Sequence, residues 1–64
     1  MTAAELNDLA RAVFGERWQS ALSRELGVPL RTVQRWAAEG IPKKIVADAV
    51  WFAIMKAREA RRAG

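Results

Sequence analysis

Gly15, Gly27, Pro29, Gly40 and Pro42 divide a 64-residue chain into four uninterrupted stretches, and Gly64 closes it. Between these marks stand chiefly Ala, Leu, Arg, Glu and Gln, which are good helix formers. No apolar–polar alternation is long enough for a strand. The expected fold is therefore all-α: a compact bundle of four or five helices forming a single domain over residues 1–64. The chain has no Cys and no His, so neither a disulfide nor a thiolate metal site can staple it. A domain of this size buries only roughly 60% of its unfolded surface. Tight helix packing or self-association must supply the remaining stability.

Local signals bound each helix. Thr2 is a natural N-cap, and Glu5, three residues on, completes a capping box. The first helix is expected over Ala3–Phe14, with Leu6, Leu9, Ala10 and Val13 on one apolar face and Gly15 as its stop. The second is expected from Arg17 or Trp18 to Leu26, with Trp18, Leu22 and Leu26 sharing a face and Gly27 ending it. Pro29 suits the first turn of a third helix that runs to Glu39 and stops at Gly40, because a first-turn N–H needs no partner. Pro42 starts a fourth in the same way, expected to reach Arg61.

The third helix has two unlike sides. At about 100° per residue, Gln34, Ala38, Arg31 and Arg35 fall in one sector, a polar, basic stripe with a small residue in its middle. Trp36, Val33 and Ala37 fall opposite, as a core face. A helix with this pattern packs on one side and can enter a groove with the other. Charge points the same way. Residues 1–16 carry one basic and three acidic side chains (−2), residues 17–39 four and two (+2), and residues 40–64 six and two (+4), which sum to the net +4. A basic C-terminal two-thirds favours an anionic partner, nucleic acid first.

The segment Gln19–Trp36, QSALSRELGVPLRTVQRW, resembles the helix-turn-helix of the lambda-repressor and Cro-like family of DNA-binding proteins. With Gly27 as the turn glycine, Leu22, Leu26, Val28, Val33 and Trp36 fall on that family's apolar positions. Ser23 falls where the family prefers Ala, because the two helices approach closely there, and Pro29 falls where it often has a Ser cap. The resemblance implies a helix-turn-helix at about residues 18–39. It implies base contacts from Leu30, Arg31, Gln34 and Arg35, and phosphate contacts from Gln19 and from Lys43 and Lys44 at the start of the fourth helix. Thr32 is grouped with the phosphate contacts. The chemistry of these side chains suits those roles. Arg bonds guanine O6 and N7, Gln bonds adenine N6 and N7, and Leu30 can meet a thymine methyl. Arg31 and Gln34 are expected to specify bases, with Arg35 shared between base and phosphate. The implied partner is double-stranded DNA, read in the major groove by a transcriptional regulator, most simply a repressor of its own operon such as phages and mobile elements carry. No cofactor, metal or small-molecule effector is expected.

From Ile45 to Ala57 the fourth helix is apolar nearly all round, interrupted only by Asp48 and Lys56. The first three helices can cover one of its sides, and a second copy is expected to cover another. Trp51, Ile54 and Met55 are the candidate dimer interface, so Trp51→Glu is expected to disrupt a homodimer. Such a dimer would set two recognition helices about one DNA turn apart on a palindromic site.

Catalysis is not expected: without His, Cys or Tyr the usual acid–base and nucleophile sets are missing, and no Gly-rich phosphate loop is present. The alternative is a small helical protein-interaction module, antitoxin-like or an adaptor subunit, whose fourth helix binds a different protein. The N-terminal stretch MTAAELNDL has neither the basic start nor the apolar run of a leader, and Ile45–Met55 is shorter than the roughly 20 residues of a membrane span. The expected location is the cytoplasm, on the nucleoid when bound.

Overall fold

The computed structural model describes residues 1–63; Gly64 lies outside the described residues. It contains four helices among them: α1 (Ala3–Phe14), α2 (Trp18–Leu26), α3 (Leu30–Glu39) and α4 (Lys44–Ala63). The capping box forms as the sequence predicts. Thr2 Oγ1 accepts from the Glu5 N–H at 3.1 Å, and Glu5 Oε1 accepts from the Thr2 N–H at 2.9 Å. Gly15 stops α1, its N–H donating to the Arg11 carbonyl at 2.8 Å. Gly27 stops α2 in the left-handed region at φ 70°, ψ 29°. Both prolines stand just ahead of their helices rather than in the first turn. Pro29 is the N-cap residue of α3, and its carbonyl accepts from the Thr32 N–H at 3.0 Å. Pro42 precedes Lys43, whose carbonyl opens α4 by accepting from Ala47. The physical reason is the same in both places: the fixed φ of proline leads into the helix without needing to belong to it.

The core is built from every helix. Leu6 and Ala10 of α1, Trp18 and Leu22 of α2, Val33 of α3, and Ala47, Val50 and Ile54 of α4 form one buried cluster. Leu9, Val13, Leu26, Trp36 and Ala37, on the expected apolar faces, pack half-buried around it. Fully burying such side chains stabilises by about 1.5–3 kcal/mol each. The helix α4, 20 residues long and so about 30 Å at 1.5 Å per residue, sets the long axis of a body measuring 32 × 21 × 21 Å.

Two tertiary ties have no signature in the periodicity. Ile41, in the α3–α4 connection, is buried in the core. Its N–H donates to the Met1 carbonyl at 2.8 Å, and the Met1 amino group donates to the Ile41 carbonyl at 3.1 Å. Asn7 donates from Nδ2 both to Ala3 O (2.7 Å) and to Ala37 O (3.1 Å), which pins α1 against α3. Helices α1 and α2 pack on each other and on both other helices, whereas the backbones of α3 and α4 stay apart among the described residues.

Ile54, predicted at a dimer interface, is fully buried in the protomer's own core and offers no surface. It lies on the side of α4 that also carries Ala47, Val50 and Ala57, all buried. No described helix is long and apolar enough to cross a membrane.

Candidate nucleic-acid interface

The α2–α3 connection is short and tightly tied. Both the Gly27 and Val28 N–H groups donate to the Ser23 carbonyl, at 2.9 and 3.2 Å. The Ser23 hydroxyl donates to the Val28 carbonyl at 2.6 Å. Gly27 supplies the left-handed residue that reverses the chain at low cost. These bonds set where α3 emerges and therefore which of its sides faces outward.

The outward side is the basic stripe. Arg31, Gln34, Arg35 and Ala38 are exposed while Val33, on the opposite side, is fully buried. Leu30 stands at the start of the same helix, 41% exposed, a large apolar side chain held at the surface. Arg35 Nε lies 3.8 Å from Glu39 Oε2, one turn on. An exposed i,i+4 pair of this kind stabilises by only about 0.3–0.5 kcal/mol, so the guanidinium stays free to exchange partners.

The backbones of α3 and α4 stay apart, and a groove of about 480 Å³ opens between them. Arg31, Arg35 and Lys43 supply its cationic lining, with Thr32 beside them. Trp36, Ile41, Pro42 and Val46 supply its apolar lining, and Glu39 is the one acidic residue on it. The structure thus brings together Arg31, Thr32, Arg35 and Lys43. Gln34 lies outside the groove, on the exposed side of α3 next to Ala38. Gln19, in the first turn of α2, is half-buried, and Lys44, the first residue of α4, is exposed; neither lines the groove. The groove was not foreseen, because it is made by the gap between two helices and not by either alone.

The proposed dimer residues separate. Trp51 is 50% exposed, Met55 is half-buried against the core, and Ile54 is in the core. The most exposed large apolar side chains of α4 are instead Ile45 (79%) and Phe52 (65%). Among the described residues no group of three or more acidic side chains is placed to hold a metal ion. No family model, no curated protein and no solved structure matches this chain.

Proposed function

We propose that the protein binds double-stranded DNA through α2, the Gly27 turn and α3, acting as a helix-turn-helix with the exposed side of α3 in the major groove. The observation that carries this is the division of α3. Val33 is buried, whereas Arg31, Gln34 and Arg35 form an exposed stripe around Ala38, whose small side chain leaves room for close approach. Arg31 and Gln34 are the base readers, through bidentate bonds to purines. Arg35, shared between base and phosphate, and Lys43, a phosphate-facing cation, border the groove beside α3, with Lys44 at the start of α4, where the helix dipole also favours an anion. Gln19 and Thr32, both half-buried, are polar residues of the kind that bonds flanking phosphates, and Leu30, exposed at the start of α3, is the candidate for a thymine methyl.

The biological role that fits is transcriptional regulation by occupancy. A bound protein excludes polymerase from an overlapping promoter, so repression requires nothing beyond affinity and an appropriate site. The experiment is selection from a randomised duplex library at two salt concentrations. Enrichment of a defined motif that survives the higher salt supports the proposal. Binding that enriches nothing and disappears at moderate salt refutes sequence-specific recognition and leaves only generic charge attraction.

A further inference from the structure

The outer side of α4 carries a stripe that has no partner within the chain: Ile45, Ala49 and Phe52 with Lys44, Asp48, Lys56 and Glu59 around them, all exposed. No intrachain ion pair uses those four charged residues among the described residues. Their order along the helix is basic, acidic, basic, acidic. Asp48 and Lys56 each stand four residues from Phe52, on either side of it, and Ile45 and Glu59 each stand seven residues away.

We infer that this stripe docks on the same stripe of a second copy, with the two α4 helices antiparallel and the two-fold axis at Phe52. In that arrangement Phe52 meets Phe52. Asp48 of each copy faces Lys56 of the other, and Glu59 of each falls beside Lys44 of the other. All four contacts join opposite charges. The parallel arrangement sets each of these residues against itself and joins only like charges. The pattern therefore selects one orientation as well as one partner. Exposed Ile45, Phe52 and the outer half of Trp51 lie at the contact or on its edge. A few apolar side chains on each copy make a small contact, so association is concentration-dependent, with a dissociation constant on the order of micromolar. This inference does not rest on DNA binding.

Sedimentation equilibrium of the full chain without DNA tests it, using Asp48→Lys and Lys56→Asp. Alone, each swap puts like charges across the axis twice and is expected to weaken dimerisation about tenfold. Mixed in equal amounts, the two variants pair as opposites at both contacts, and the mixture is expected to regain wild-type affinity. Phe52→Ser, at an exposed position that the fold does not need, is expected to be monomeric and folded by circular dichroism. Should one charge swap fail to fold, this variant still decides whether Phe52 lies at the contact. A wild-type chain that stays monomeric into the hundreds of micromolar overturns the inference. So does a dimer indifferent to Phe52→Ser, or a mixture no tighter than its components.

Discussion

The Ser23 hydroxyl donates a 2.6 Å hydrogen bond to the Val28 carbonyl and so closes the turn from α2 into α3. The Ser23 carbonyl meanwhile accepts from Gly27 and Val28, so one residue ties the end of α2 to the turn through both its hydroxyl and its carbonyl. Ser23→Ala removes the donor and leaves a half-buried carbonyl short of a partner. The expected cost is about 1–2 kcal/mol, a fall in melting temperature of roughly 4–8 °C per kcal/mol for a domain of this size. Thermal unfolding followed by circular dichroism measures it. A variant as stable as wild type would show that water serves the Val28 carbonyl equally well.

Glycine matters differently at two positions. A Cβ at Gly40 would lie 2.8 Å from the Met1 carbonyl oxygen and 3.1 Å from the Ala3 nitrogen, with φ at 84°. Gly27 also has positive φ, at 70°, but a Cβ there meets nothing within 4 Å. Gly27→Ala should therefore cost about 1–2 kcal/mol, from backbone strain alone. Gly40→Ala should cost more, at least about 2–3 kcal/mol, because backbone and not a flexible side chain must yield. Urea titration of both variants orders them, and an equal cost would mean that the N-terminal segment moves aside freely.

Ile54 and Phe52 stand two residues apart on α4 and should behave oppositely. Ile54 is fully buried and Phe52 65% exposed. Ile54→Ala is expected to lose about 2–5 kcal/mol, a large part of the stability of so small a domain. Phe52→Ala should stay within about 0.5 kcal/mol when measured on dilute protein. Similar losses for the two would place the core on a different side of the helix.

On α3, Arg31→Ala is expected to weaken DNA binding by about 1–3 kcal/mol and to relax preference at a single base pair. Equal weakening on every sequence would reassign Arg31 to phosphate contact. Glu39→Gln frees Arg35 from its 3.8 Å ion-pair partner and removes the acidic residue lining the groove. It should tighten binding roughly two- to fivefold at low salt, with the gain shrinking as salt rises. Fluorescence anisotropy across a salt series measures both.

The Thr2 backbone N–H, and after it the Thr2 hydroxyl, hold the Glu5 carboxyl below its ordinary value of 4.5. A depressed carboxyl pKa means the cap favours the ionised form, so its contribution is present above the unfolded-state pKa and is lost as pH falls through the folded one. Glu5→Gln should therefore melt below wild type at neutral pH, and the gap should shrink as pH falls below the ordinary carboxyl value of 4.5. A gap independent of pH would assign the effect to geometry and not to charge.

The helices were legible in the sequence because their signals are local. A Thr2–Glu5 capping box, a glycine at positive φ after α1, α2 and α3, and apolar residues at helical spacing act within a turn or two of chain. The exposed stripe of α3 was equally legible, because that helix has one apolar side and one polar side, and only one of them can face the core. The helix α4 lacks that contrast. Apolar residues surround it between Ile45 and Ala57, so its periodicity carries no phase, and only the packing of α1 and α2 determined that Ile54 goes inward while Ile45 and Phe52 stay out. The Met1–Ile41 exchange, the Asn7 bond to Ala37 and the groove between α3 and α4 were likewise decided by tertiary structure. Each joins residues some 30 or more positions apart, or depends on two helices whose backbones stay apart, and neither is written in the spacing of any one segment.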